Sequence, residues 1–274
     1  MKLKTLVGYA LLLLPIVGLY GYGAFVEPFQ LEVTHHTVGD AFAQSRVRIV
    51  QISDLHLRTM DEIRRAVAQR TVAVKPDVIV LSGDIVDRQD SLPALETFLN
   101  ELGPVQKIAV PGNWEYWSEV DFKTLAKLYA RHQVEFLVND CHVVHFGNRS
   151  LAFVGLDDAL SGKPKLDKAQ HRCEKDDTEG KILVEHSPGF FGAPLTAPIA
   201  NPPYLLSLSG HTHGGQVTIF GSPIETPPGS GTYNRGWYDT RYGRLYISRG
   251  IGTTVVPLRV GSVPELTVFE VGLQ

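Results

Sequence analysis

An α/β sandwich with stacked sheets and covering helices, preceded by one N-terminal membrane helix, is the fold class this sequence predicts. Three observations predict it. From Arg46 to about His132, apolar strand-like runs alternate with helix-like patterns. Beyond that point the runs become short and strand-like, separated by turns. At the other end, Thr5 to Val26 contains no charged residue at all. Alternation followed by strand runs is the pattern of layered α/β domains.

The charge-free stretch follows Lys2 and Lys4. As a helix it would extend roughly 33 Å, enough for a hydrocarbon core of ~30 Å. Pro15 is tolerated in such helices, and Tyr9, Tyr20 and Tyr22 suit its interfacial ends. A cleavable signal peptide is the rival reading. The long apolar region and the poor small-residue site at Gly21 and Gly23 favour an uncleaved anchor. The lysines before the stretch, with Glu27 and Glu32 after it, point the remaining chain away from the cytoplasm. A helix lying in one leaflet is the alternative, given Pro15 and four glycines. The expected division is an anchor over 1–26, a linker over 27–45 and a catalytic domain over 46–274. The linker includes a candidate edge strand at Phe29–Val33, with His35 and His36 read as solvated.

Within the domain, Arg46–Ser53 reads as a strand and Met60–Ala73 as a helix. Asp77–Ser82 is the next strand, then a helix at Ser91–Leu102 with Ser91 as N-cap and Gly103-Pro104 as its stop. Val105–Val110 is a strand and Val120–His132 a helix. Val134–Val138, Cys141–Phe146 and Ser150–Leu156 are short strands, and a short helix is expected after Pro164. Lys181–Val184, Tyr204–Leu208, Arg244–Ser248 and Leu266–Val271 are strands, with a Pro/Gly-rich loop over Gly221–Gly236.

Composition narrows the function classes. The 26 basic and 29 acidic residues leave a net charge of −3, so no global basic field recommends nucleic acid as a partner. Cys141 and Cys173 are too few for a disulfide framework and lack CxxC spacing. They read as structural rather than nucleophilic, and whether they pair stays open at this stage, as does the oligomeric state.

Polar clusters follow five apolar strands: Asp54/His56, Asp84/Asp87, Asn113, His186 and His211/His213. Ligands in open α/β folds collect outside the carboxyl ends of strands. Carboxylates and imidazoles converging there need positive charge to offset repulsion and desolvation, which a pair of divalent cations supplies.

These clusters resemble the calcineurin-like metallophosphoesterases. The family's DxH, GDxxD, GNH[ED], lone His and GHxH motifs are met by Asp54-Leu55-His56, Gly83-Asp84-Ile85-Val86-Asp87, Gly112-Asn113-Trp114-Glu115, His186 and Gly210-His211-Thr212-His213. The resemblance implies a four-layer α/β/β/α sandwich and a dinuclear phosphoester hydrolase that uses a metal-bridging hydroxide. It implies one metal on Asp54, His56, Asp84 and His213, and a second on Asp84, Asn113, His186 and His211. Asp84 would bridge the two, Asp54, Asp84, Asn113 and His211 would be catalytic, and Asp87 would orient a ligand. Oxygen and nitrogen ligation suits Mn²⁺, Fe or Zn²⁺ without choosing among them; Mn²⁺ is the first expectation.

One position departs from the family. Trp114 stands where most relatives carry a His thought to protonate the leaving oxygen. An alkoxide, with a conjugate acid near pKa ~15.7, would miss that acid. A phosphate leaving group, with a second pKa of about 6, would not. A pyrophosphate, or another ester with a good leaving group, is therefore the expected substrate. The resemblance also takes in UDP-2,3-diacylglucosamine pyrophosphatases of lipid A synthesis and membrane-anchored bacterial phosphodiesterases. It implies a phosphorylated small-molecule or lipid substrate at the bacterial inner (plasma) membrane, reached through the N-terminal helix. Trp114 and Arg249 are the expected substrate contacts, with Arg259, Arg235 and Arg241 as further phosphate-holding candidates. Two other readings remain: a broad-specificity extracytoplasmic phosphodiesterase, or a metal-binding scaffold impaired by Trp114.

Overall fold

The computed structural model describes residues 3–273 apart from 41 and 44, with 3–12 described by their backbone alone. The first element is helix α1, Leu3–Phe25, with Pro15 inside it. Among the described residues no helix is long and apolar enough to cross a membrane. The expected membrane-spanning helix is therefore corrected to a helix without a demonstrated span. Between Leu13 and Phe25 a proline, three glycines and two tyrosines dilute the apolar run.

Within the segment expected to be a linker, the candidate edge strand at Phe29–Val33 is found further along and longer than expected. Strand β1, Glu32–Gly39, pairs in parallel with the last strand, in register from Glu32 opposite Glu265 to Gly39 opposite Gly272. His36 is half-buried against Trp237, Tyr246 and Phe269, not solvated as expected, because this pairing carries it over the second sheet. His35 is exposed.

The alternating region follows the expected order, with one short helix, α4, added: β2 Arg46–Ile52, α2 Glu62–Ala73, β3 Val78–Ser82, α3 Leu92–Glu101, β4 Gln106–Val110, α4 Asn113–Trp117, α5 Phe122–Arg131 and β5 Val134–Phe136. Asp61 caps α2 by accepting from the Arg64 N–H, and Asp121 caps α5 by accepting from Lys123 and Thr124. Ser91 makes no side-chain cap bond. The second half holds β6 Asp140–Phe146, β7 Arg149–Gly155, α6 Leu166–Arg172, β8 Gly180–Val184, β9 Leu206–Ser209, the small hairpin β10 Thr218–Ile219 and β11 Ser222–Pro223, β12 Gly236–Thr240, β13 Gly243–Ile247 and β14 Glu265–Gly272.

Two six-stranded sheets result, ordered β1-β14-β2-β3-β4-β5 and β12-β13-β9-β8-β7-β6. The β2 to β5 and β7-β8-β9-β13 runs are parallel. Strand alternation sorts the side chains into layers. Val47, Ile49, Val78, Val80 and Ile108 face Leu151, Phe153, Ile182, Val184 and Leu206 across the space between the sheets. Val50, Ile52, Ile79 and Leu81 face the other way, onto Val67 of α2, Phe98 of α3 and Leu125 of α5. On the outer face of the second sheet, Val154, Leu183, Leu245 and Ile247 pack with Ala169 of α6 and with Phe191, Tyr204 and Tyr233. Helices, two sheets and a helix-and-loop cover give the α/β/β/α order.

Cys141 in β6 and Cys173 after α6 form a disulfide across 32 residues of chain. It fastens α6 to the edge of the second sheet. A bridge of this kind persists in oxidising compartments and is rare in the cytoplasm.

Candidate metal centre

The parallel strands of both sheets end at one place. Asp54 and His56 follow β2, Asp84 follows β3, Asn113 opens α4 after β4, His186 follows β8, and His211 and His213 follow β9. All seven are buried. Five of them, Asp54, His56, Asp84, His211 and His213, have left-handed backbone, with φ of 50, 44, 53, 71 and 52°. Each such non-glycine residue stores about 1–3 kcal/mol of strain that neighbouring structure must hold. Backbone bonds do so: His56 N donates to Asp84 O, Leu57 N to Ile85 O, and Asp54 N to Gly83 O. Gly112 and Gly210 are required by close approach, since a Cβ on either would collide with Asp84 or with Ser53 and Asp54.

Side-chain bonds then aim one nitrogen of each imidazole inward. His56 Nδ1 lies 2.5 Å from Asp87 Oδ1, His186 Nδ1 lies 2.8 Å from Ser82 O, and His211 Nε2 lies 2.7 Å from Pro228 O. A ring nitrogen bonded to a carbonyl or carboxylate carries the proton, which leaves the other nitrogen as a lone pair. These lone pairs meet other acceptors. His56 Nε2 is 3.0 Å from His213 Nε2, and His211 Nδ1 is 2.8 Å from Asn113 Oδ1. His186 Nε2 is buried without a hydrogen bond, although Asp84 Oδ2 is 3.1 Å away. Acceptors converging on acceptors in a dry site need a cation or protons between them.

The donors form two groups, Asp54/His56/His213 and Asp84/His186/His211, the ligand atoms of each lying within 4.8 Å of one another. Asp84 Oδ2 is 3.1 Å from His186 Nε2 and 3.8 Å from His56 Nε2, so it adjoins both groups. Asn113 adds a neutral oxygen to the second. The chemistry of this donor set fits two divalent cations.

Without cations the same crowding appears as displaced proton affinities. Burial lowers His56 and His186, but the neighbouring carboxylates outweigh it and raise both, through Asp87 and Asp84 for His56 and through Asp84 and Asp54 for His186. Burial and the charge on His186 lower His211, and burial, His56 and Arg259 lower His213. Burial would raise Asp84, yet His186 and His56 bring it down to about 2. Uptake of metal near neutral pH is therefore expected to release protons from His56 and His186, with affinity rising as pH rises. Calorimetric titration of Mn²⁺ in buffers of different ionisation enthalpy reads that release directly, and a buffer-independent heat would contradict it.

Asp87, expected to orient a neighbour, grips His56 and is itself held by Arg58 Nε at 2.7 Å. Glu115 is buried and accepts four backbone N–H bonds around the Asp84 loop. Its motif position was visible, but not this stapling role. Arg259 corrects an expectation. It is fully buried behind His213 and donates to the carbonyls of Gly252, His213, Ser262 and Arg249, so it cannot reach a substrate phosphate. Arg249 corrects another. It pairs with Glu265 and Glu32 and does not line the cleft, because two carboxylates from distant parts of the chain capture its guanidinium. Arg241 stacks on Tyr242, and Arg235 donates to Gly261 O.

Trp114 is placed as expected. It lines a cleft of about 500 Å³ that opens from Asp84, Asn113, His211 and His213. Its indole meets the His56 ring edge-on at 5.5 Å and leans on Trp117. The far wall is apolar, built by Trp117, Val217, Ile224, Val255 and Val256.

Comparison with known proteins agrees with this geometry. The model of the calcineurin-like phosphoesterase family matches residues 47–215, which contain every residue of both donor groups. The chain is 32% identical to the Bacillus subtilis metallophosphoesterase YkuE, over 92% of this chain and 89% of that protein. It is 29% identical to a metallophosphoesterase of Aquifex aeolicus, over 93% and 97% of the two chains. To the Escherichia coli phosphodiesterase YaeI it is 27% identical, over 92% of each. By sequence, fold and donor set the chain belongs to the calcineurin-like phosphoesterase family and is a metal-dependent phosphoester hydrolase.

Proposed function

We propose that the chain cleaves a phosphodiester or pyrophosphate that combines a good leaving group with an apolar portion, at a membrane and on its oxidising side. The observation that carries this reading is Trp114. It stands beside Asp84 and His211 at the start of an apolar wall, where a proton donor would otherwise be expected. Asp54, His56, Asp84 and His213 would hold one divalent cation, and Asp84, Asn113, His186 and His211 the other, with Mn²⁺ the first choice. When bound, such a pair stabilises the phosphoryl oxygens as a Lewis acid and lowers the pKa of water. The chain's own residues supply the rest. Asp84 reaches toward both donor groups, His211 and Asn113 converge on one point, and Trp114 excludes water from the approach to the site. Indole gives no proton to a leaving oxygen, so the leaving group must depart as a stable anion.

The membrane part of the reading rests on α1 and its exposed apolar residues. The compartment rests on the Cys141–Cys173 disulfide, which favours the extracytoplasmic side of the plasma membrane. UDP-2,3-diacylglucosamine has a suitable leaving group and acyl chains, but it is made in the cytoplasm. The disulfide therefore favours an extracytoplasmic phosphodiesterase, in line with the name of its relative, the phosphodiesterase YaeI. Purified protein with Mn²⁺ on an aryl phosphodiester, a UDP-sugar, UDP-2,3-diacylglucosamine and a phospholipid tests the proposal; no turnover on any of them sinks it. A reporter fused at the C-terminus reads the compartment.

Trp114→His is expected to raise alkyl phosphodiester hydrolysis by about 10²-fold, the lower range for a general acid. Turnover of aryl esters and pyrophosphates should stay within severalfold, because they do not need the proton. Steady-state rates on matched alkyl and aryl substrates make the comparison. If the alkyl rate does not rise, the leaving-group argument fails.

A further inference from the structure

Exposed apolar side chains gather around the mouth of the cleft. The turn of the β10–β11 hairpin carries Phe220, wholly exposed at 104%, beside exposed Ile219. Ile224, just beyond β11, and Val255 and Val256 on the β13–β14 loop line the cleft, and Val255 is 85% exposed. Trp117, more than half exposed, lines the cleft as well. A soluble surface tolerates scattered apolar residues, but a group of them rimming one opening marks an interaction site.

Helix α1 is seated on the same structure. Its Gly23 carbonyl accepts from Arg259 N at 2.8 Å, and its backbone there packs on Val260 and Leu258. Directly after the helix, Glu27 accepts from the N–H groups of Gly261 and Ser262 at 3.0 and 2.6 Å. Val260 in turn bridges to Val217, a wall residue of the cleft, and its carbonyl accepts from Thr218 N at the hairpin base. One short segment, 258–262, thus joins the end of α1, the hairpin and the cleft wall. The helix itself has Leu13, Leu14, Ile16, Val17 and Leu19 all more than half exposed, so among the described residues nothing in the domain covers these side chains. Arg235 sits behind the hairpin, its guanidinium on the carbonyls of Gly261 and Gly221. A cation set back from apolar tips is the arrangement of interfacial membrane segments.

We propose that the hairpin at 218–223 and the loop at 254–257 form, together with α1, a surface that docks on a lipid bilayer and seats the mouth of the cleft against it. The occupant is the bilayer, because the rim continues into a helix whose described large apolar side chains, from Leu13 to Phe25, lie exposed. Docked this way, a substrate's apolar portion stays in the bilayer while its phosphoester reaches Asp84 and His211. That last step rests on the proposed function; the docking does not.

The native cysteines are paired, so a single introduced cysteine can carry a fluorophore sensitive to its surroundings. Full-length protein labelled at Phe220→Cys, Val255→Cys or Asn148→Cys is added to phosphatidylethanolamine–phosphatidylglycerol vesicles with and without spin-labelled lipid. Asn148 lies in the β6–β7 turn, at the end of β7 away from the metal centre. Labels at 220 and 255 should brighten and be quenched by spin-labelled lipid severalfold more than the label at 148. Equal quenching at all three overturns the proposal. So does brightening at 220 that follows protein concentration without vesicles, which would assign the surface to a second copy of the chain. Neither readout uses turnover, so an inactive enzyme with quenched labels would sink the proposed function and leave the docking surface standing.

Discussion

Asp84→Asn is expected to lower Mn²⁺-dependent turnover by about 10³-fold or more, the scale of losing a centrally placed electrostatic group. The substitution keeps shape and removes charge. Asn can still accept from Trp114 N, which now donates to Asp84 Oδ1 at 2.8 Å. Its amide NH₂ would then stand where Oδ2 faces His186 Nε2 at 3.1 Å and His56 Nε2 at 3.8 Å. The carboxylate lying closest to both donor groups becomes a neutral group, and the centre loses the ligand proposed to be shared. Bound metal, measured by elemental analysis after gel filtration, should fall to one equivalent or less, while circular dichroism stays that of the parent. Turnover within severalfold of the parent would refute the shared-carboxylate assignment. The same variant separates an enzyme from a scaffold. A scaffold has no turnover for the substitution to remove, and its partner binding should survive.

The metal-donor residues were legible because each cluster directly follows an apolar run, and the end of a parallel strand is a local, periodic signal. The left-handed backbone at Asp54, Asp84 and His213 was not, although Gly83, Gly112 and Gly210 were visible beside the motifs. What failed was whatever depends on partners far along the chain. Arg249 follows a strand and precedes a glycine turn, as a phosphate ligand could, but its guanidinium is closed off by Glu32, 217 residues away, and by Glu265. Arg259 reads as a surface charge until four carbonyls close around it. Strand β1 was expected only as far as Val33, because Thr34, His35, His36 and Thr37 carry little apolar signal. Its place comes from pairing with β14 at the opposite end of the chain. The strand at Gly236–Thr240 was hidden in the same way, behind a Pro/Gly-rich loop that ends where it begins. The cysteine pair needed the second sheet to bring β6 beside the end of α6.

Glu115→Gln is expected to destabilise the protein by about 3 kcal/mol, although it changes one atom. Glu115 Oε1 accepts from Ile85 N and Val86 N at 2.7 and 3.2 Å, and Oε2 from Asp84 N and Gly112 N at 3.1 and 2.8 Å. A carboxylate can accept all four. An amide keeps one pair and sets its own N–H groups against the other, leaving buried donors facing donors. In a chain of this size the loss corresponds to a drop in Tm of roughly 10 °C. Metal affinity should fall too, since these bonds hold Asp84 in its left-handed conformation. Denaturant titrations of both proteins, with chelator present, read the loss of stability, and an unchanged midpoint would remove Glu115 as the staple of the Asp84 loop.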